Sequence, residues 1–371
     1  MYAIGKTGTG KSTLIYTTAV QDLAGHAGLA LFDPHGDLST SLVHAARIYR
    51  PDDHIYLNPA DSSDAFRFNP LASVHEDRRP QAAAGLIEVF KKIWHDDWGP
   101  RLEHLLRNVI FTLLEIQGST IADIPPLLTN KAHRERVAAQ LENQAVKDFW
   151  ETEYARYSGP FRAVIVAPLQ NKIGALLTDP VLRRVFTGDG PQLDIRDIMD
   201  SGKCLIVNLD KGRLGEGPAS ILGSFLVSHI ALAGLARSEQ SEAERRDFFV
   251  YLDEFHTFTT QALATMLSEL RKYKVGLILA HQHLSQLDPA IRSAIFGNIG
   301  TLISFRVGAA DAAYLAREFA PTFSAQDLTS LPRYNMYLRL QIDGEQSRPF
   351  SARTLSSLDE IPGFRPSAPS A

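Results

Sequence analysis

Cysteine is almost missing from this chain. Cys204 is the only one in 371 residues, which excludes an internal disulfide and suits a reducing compartment. Neither charge sign is in excess: 38 Lys and Arg stand against 42 Asp and Glu, for a formal charge of −4. The chain therefore has no global basic field of the kind that coats nucleic acid, although a few loops could still grip it. Long apolar runs are absent but for ASILGSFLVSHIALAGLA, Ala219 to Ala236, which just reaches the length of a membrane span. Serines and a histidine interrupt that run. A span there would also put two acidic and phosphate-binding motifs, described below, on opposite sides of a membrane. It reads as a buried crossover helix. What remains is the composition of a folded protein, 44% hydrophobic and 22% charged, long enough for one large domain or two ordinary ones.

Short apolar runs alternate with longer helical patterns, the signature of an α/β fold with a mainly parallel sheet. Expected strands are YAI (2–4), GLALF (28–32), HIYLN (54–58), CLIVNL (204–209), FFVYL (248–252), VGLILA (275–280) and TLISFRV (301–307). Several are apolar on both faces, as central parallel strands should be. YNMYLRLQI and QSRPFSART flank Asp343 and Gly344 and read as an antiparallel hairpin at a sheet edge. Residues 74–185 change to helical spacing, as in Leu102, Leu105, Leu106, Val109, Ile110, Leu113 and Leu114 after Pro100. The expected domains are a sheet domain over 1–73 and 186–357, an all-helical insertion over 74–185, and a disordered Pro/Ser-rich tail over 358–371.

Gly5–Ser12, GKTGTGKS, matches G-x-x-x-x-G-K-[ST] at every fixed position, between a short strand and a helix. That spacing lets backbone N–H groups of Gly5, Lys6, Thr7, Gly8, Thr9 and Gly10 close on phosphates, with Thr13 opening the helix. Lys11 then reaches the β/γ oxygens and Ser12 offers a hydroxyl to Mg²⁺. In RDFFVYLDEFHTF an apolar strand ends in an acidic doublet, a Walker B pattern. Asp253 is expected to hold Mg²⁺ and Glu254 to polarise the attacking water, which implies ATP hydrolysis. Gln282 ends the next strand, where a sensor of the γ-phosphate belongs. Arg271, eleven residues earlier, could act as an arginine finger toward a neighbouring subunit's nucleotide, or could simply lie on a solvated helix face.

Five stretches together resemble the FtsK–HerA superfamily of hexameric pumping ATPases: IGKTGTGKST, LFDPHGDL, CLIVNLDKGRLGE, VYLDEFHTF, and ELRKYKVGLILAHQHLSQL with the following GNIGTLISFRVGAADA. The branch most similar is the conjugative type IV coupling proteins, TraG/TraD-like and of the TraM-recognition type. The resemblance implies a RecA-like P-loop NTPase of the additional-strand, catalytic-glutamate type, with a helical domain inserted in the motor. It implies ATP and Mg²⁺ as cofactors, and a hexameric ring acting with DNA, with a secretion or conjugation apparatus and with relaxase-type proteins. It also strengthens Arg271 as the trans finger, with Arg306 the runner-up. By the same analogy Asp33 or His35 lies near the nucleotide; an Asp-capped turn, favoured over a metal site, explains Asp33, His35 and Asp37. His256, His281 and His283 are expected to serve packing or hydrogen bonds rather than a metal.

DNA contact is the least legible element. Lys211 and Arg213, on what reads as a flexible loop, are the candidate DNA contacts, followed by Lys91, Lys92, Arg101 and Arg107 in the insertion. Two rivals to a DNA translocase remain: a secretion ATPase of the same superfamily acting on protein, and a nucleotide switch with little turnover. Glu254 argues against the switch. Coupling proteins usually carry a membrane anchor or another domain ahead of the motor. The first strand here has three residues, so either the anchor is missing or the start is truncated or assigned too late. The expectation is a cytoplasmic chain, held at the inner face of a membrane by a missing N-terminal region or a partner. Alone, it should be soluble, monomeric and slow to hydrolyse ATP.

Overall fold

A computed structural model describes residues 1–63, 66–72, 74–94 and 98–355. The expected tail over 358–371 lies outside the described residues. The chain divides into two compact units, one of Met1–Asn58, Arg196–Arg213 and Arg237–Ala371, the other of Pro59–Ile195 and Leu214–Ala236.

The first unit is built on a nine-stranded sheet. Its strands are β1 (Tyr2–Ile4), β2 (Gly28–Asp33), β3 (His54–Leu57), β4 (Cys204–Asn208), β5 (Phe248–Leu252), β6 (Val275–His281), β7 (Leu302–Ser304), β8 (Asn335–Arg339) and β9 (Phe350–Arg353). Their spatial order is β9-β8-β7-β1-β6-β5-β2-β4-β3. All neighbours from β7 through β3 pair in parallel, whereas β8 is antiparallel to both β7 and β9. Sequence and position agree in physical terms. β2, GLALFD, is buried at every residue, as a central parallel strand must be, while β8, NMYLR, alternates between buried and half-buried near the edge. The expected hairpin turn is present: Asp343 and Gly344 have φ of 49° and 87°, the left-handed pair that a tight two-residue hairpin requires.

Two helices pack on one face of this sheet, α1 (Lys11–Ala24) and α2 (Asp37–Tyr49). Ile15, Val20 and Leu23 of α1 and Leu42, Val43 and Ala46 of α2 join Leu29, Leu31, Ile206 and Tyr251 in one core cluster. Each such aliphatic side chain contributes about 1.5–3 kcal/mol by leaving water. That packing holds both helix N-termini at the carboxyl ends of the strands, where open α/β sheets bind ligands.

The second unit is helical. Its main elements are α3 (Arg79–Ile93), α4 (Pro100–Glu115), α5 (Gly159–Thr178), α6 (Pro180–Thr187) and α7 (Glu216–Ala236). All seven apolar positions of the α4 pattern are buried, and Pro100 occupies its first turn. Trp150 donates its ring N–H to Thr112 Oγ1 at 2.7 Å, satisfying a buried polar pair inside the unit. Tyr154 is fully buried against two guanidinium groups, with Arg134 and Arg162 4.8 and 5.1 Å from its ring centroid. The long apolar run forms α7, which packs along α3 within this unit. It is long and apolar enough to cross a membrane, yet 78% of its most apolar window is buried, as in a core helix.

Candidate nucleotide site

Local sequence sets the shape of the phosphate loop. Gly10, immediately before α1, has φ of 123°, open to glycine and strained for any side chain. A Cβ there would also lie 3.0 Å from Tyr334 Cδ1. The loop holds itself together: Thr9 Oγ1 donates to Lys6 O at 2.7 Å, and Lys11 Nζ donates to Gly5 O at 2.6 Å. Lys11 is almost fully buried. Burial lowers its pKa, opposed by the nearby charges of Glu254 and Asp253.

Two distant segments converge on this loop. Ser12 Oγ lies 3.4 Å from Asp253 Oδ2, which follows β5. Gln282, which follows β6, bridges two sites: Thr7 Oγ1 donates to its Oε1 at 2.8 Å, and its Nε2 donates to Glu254 Oε1 at 2.9 Å. Glu254 Oε2 is buried and accepts no hydrogen bond from the described residues, although His256 Nδ1 is 3.6 Å away. Glu254 sits at φ of 44°, in the left-handed region that non-glycine residues rarely adopt, a kind of strain that clusters at functional positions. The sheet order explains how the groups meet. β6 lies between β1 and β5, so the strand carrying Gln282 stands beside both the loop and the acidic doublet.

The cleft so formed is about 240 Å³ in volume. Its lining includes Thr7, Gly8, Gly10, Lys11, Ser12, Thr13, His35, Asp253, Glu254 and Gln282. The donor set suits a divalent cation held together with phosphates. Asp253 is 3% exposed, and its carboxyl is pushed up from 3.8 to about 6, by burial first and then by the charges of Glu254 and Asp33, against the opposing Lys11. Acidic charge outweighs the single lysine here. Among the described residues no group of three His, Cys, Asp or Glu could hold a metal unaided. Such chemistry fits Mg²⁺, which typically takes one or two protein ligands plus substrate phosphates.

The remaining expected residues fall as follows. Asp33 caps its own turn, accepting from His35 N at 2.9 Å and Ser39 N at 2.8 Å. His281 is fully buried and packs against Tyr2 and Phe255, with ring centroids 5.4 and 4.9 Å away. Burial drives its pKa down to about 3. His283 Nδ1 is 3.3 Å from Asp311 Oδ2. Arg271 is exposed in the turn Leu270–Tyr273 that precedes β6, at the opposite end of that strand from Gln282. It does not meet its own chain's site. Arg306 is exposed after β7, and its carbonyl accepts from Lys6 N of the phosphate loop at 2.9 Å. Lys211 and Arg213 lie in a short helix, Lys211–Leu214, rather than in a loop. Lys211 Nζ donates to Thr257 Oγ1 at 3.0 Å, beside the acidic doublet, and Arg213 is exposed. In the helical unit Lys91 pairs with Glu88 at 3.7 Å and Arg107 with Glu103 at 3.0 Å, as solvated helix faces do.

A family model for the DNA-binding domain of type IV secretion-system coupling proteins matches residues 1–329. The chain belongs to this family. No curated protein matches it in sequence. Among solved structures it is similar to the plasmid coupling protein TrwB in complex with ADP and Mg²⁺. That match has 17% identity and a TM-score of 0.69, and covers 99% of this chain and 87% of that one. The same protein with a non-hydrolysable ATP analogue matches at 17% identity and a TM-score of 0.67, over 99% and 88% of the two chains. VirB4 of Thermoanaerobacter pseudethanolicus matches at 14% identity and a TM-score of 0.61, over 97% and 90%. At such identities the likeness shows a shared fold, the α/β P-loop ATPase fold with a mainly parallel sheet.

In this coupling-protein domain two cleft residues escaped sequence reasoning, Arg333 and Tyr334. Both precede β8. Tyr334 N donates to Thr9 O of the phosphate loop at 2.8 Å. Nothing in PRYN distinguishes it from an ordinary turn before a strand, so no local signal could have found it.

Proposed function

We propose that this domain binds Mg·ATP at the phosphate loop, hydrolyses it, and couples turnover to DNA movement as one subunit of a hexameric coupling-protein ring on the cytoplasmic side of a membrane. The observation that carries the reading is the Gln282 bridge. It ties Thr7 of the loop to Glu254 while Glu254 Oε2 has no hydrogen bond among the described residues. Glu254 is then oriented by one oxygen and keeps the other to take a proton from the attacking water. Lys11 neutralises phosphate charge, and Gln282 lies within reach of both the loop and the base. Ser12 and Asp253 would hold Mg²⁺, which when bound offsets charge on the β and γ oxygens. The family's DNA-binding description supports DNA as the cargo, and a conjugation apparatus with relaxase-type proteins is the partnership this reading expects.

The test is ATP turnover with and without single- and double-stranded DNA. DNA is expected to stimulate the wild-type domain. Glu254→Gln is expected to lose roughly 10²–10⁴-fold in turnover while still binding nucleotide. Turnover that depends on Glu254 yet ignores both forms of DNA would sink the DNA motor and favour a protein cargo.

A further inference from the structure

The nucleotide cleft has two ends with different chemistry. Lys11, Ser12, Asp253, Glu254 and Gln282 make a charged end suited to the outer phosphates. Gly10 and Thr13, where the loop becomes α1, mark the other end, and there the lining is completed by Arg333 and Tyr334. The Arg333 guanidinium stacks on the Tyr334 ring, 4.6 Å from its centroid. The ring edge stands against Gly10 closely enough that a Cβ would meet Cδ1 at 3.0 Å.

This pair is held at some conformational cost. Tyr334 has φ of 67°, a left-handed backbone that bulky residues rarely adopt. Two hydrogen bonds impose it, Tyr334 N to Thr9 O at 2.8 Å and Thr354 N to Tyr334 O at 2.9 Å, the second from just beyond β9. A strained aromatic clamped onto a phosphate loop is a feature that packing alone does not require. The β8–β9 edge of the sheet thus supports one exposed guanidinium and one half-buried ring beside the start of α1.

Building on the nucleotide-binding reading above, we propose that Arg333 and Tyr334 form the platform for the nucleoside half of the nucleotide, stacking on its base and ribose. Such a flat cationic and aromatic surface is sequence-tolerant toward bases, because every base presents a π face. Purine nucleotides should therefore bind with similar affinities.

The experiment is calorimetric titration of the full chain with Mg·ADP, Mg·GDP and inorganic tripolyphosphate, which has phosphates but no nucleoside. Tyr334→Gly removes the ring while accepting the left-handed backbone, so lost affinity cannot be blamed on strain. Tyr334→Gly and Arg333→Ala are each expected to weaken both nucleotides about tenfold and to leave tripolyphosphate unchanged, with Tyr334→Phe near wild type. Unchanged nucleotide binding in Tyr334→Gly overturns the proposal. So does an equal loss on all three probes, which would assign Tyr334 to shaping the loop. A wild-type chain that binds none of the probes would instead overturn nucleotide binding itself.

Discussion

At the scale of the residue, the cleft trades stability for chemistry. Asp253 is buried among like charges, and its carboxyl is pushed up from 3.8 to about 6. Below pH 4 it is protonated in both folded and unfolded chains and costs nothing. Between about pH 4 and 6 the folded chain keeps a proton that the unfolded chain has released, so stability falls as pH rises; above 6 the full cost is present. That cost is on the order of 3 kcal/mol. Asp253→Asn should therefore raise the melting temperature at pH 7.5 without Mg²⁺, and the advantage should shrink toward pH 4.5. Thermal melts across that range check it; a variant less stable at neutral pH would refute the buried-charge account. The same variant should lose Mg²⁺-dependent nucleotide binding, since functional sites commonly oppose stability.

At the scale of the element, helical spacing was legible wherever one face is buried and the other wet. Leu106 in α4 is fully buried, whereas Val164 in α5 is 67% exposed. Leu106→Ala is expected to cost about 2–5 kcal/mol, and Val164→Ala to stay within about 0.5 kcal/mol, as read by urea or thermal unfolding. α7 was harder to place. Its residues are apolar nearly all round, so periodicity says that it is buried but not against what. Its contacts with α3 and α6 assign it to the helical unit, which also starts at Pro59 and runs to Ile195. Lys211 and Arg213 show the opposite failure. A glycine-rich stretch reads as loop, yet in the fold KGRL makes a helical turn and Lys211 hydrogen-bonds Thr257 beside the doublet.

At the scale of the whole molecule, Arg271 and Arg306 are the two candidates for neutralising transition-state charge in the proposed hydrolysis. β6 is about 20 Å long, and Arg271 lies before it while the cleft lies after it, so Arg271 could serve only a neighbouring subunit. Arg306 stands beside the phosphate loop of its own chain. We expect turnover per subunit to rise steeply with protein concentration, because a ring assembles by mass action. Mixing Arg271→Ala subunits with Lys11→Ala subunits should restore part of the activity that each lacks alone. Activity lost in Arg306→Ala and not rescued by Lys11→Ala subunits would instead move the role to Arg306, acting within its own chain. Rapid turnover by a stable monomer would contradict the Arg271 assignment and the ring.

The phosphate loop, the acidic doublet and the parallel strands were determined by sequence alone, because each depends on neighbours a few residues away: glycines for the loop, apolar runs for strands buried on both faces. The turn at Asp343–Gly344 was equally local. What only tertiary structure decided are the contacts between segments far apart in sequence. It placed β6 between β1 and β5, so that Gln282 meets both Thr7 and Glu254. It folded β8 back antiparallel to β7, which carries Arg333 and Tyr334 to Gly10. No periodicity encodes such meetings, since they follow from strand order and register, which the whole core sets at once.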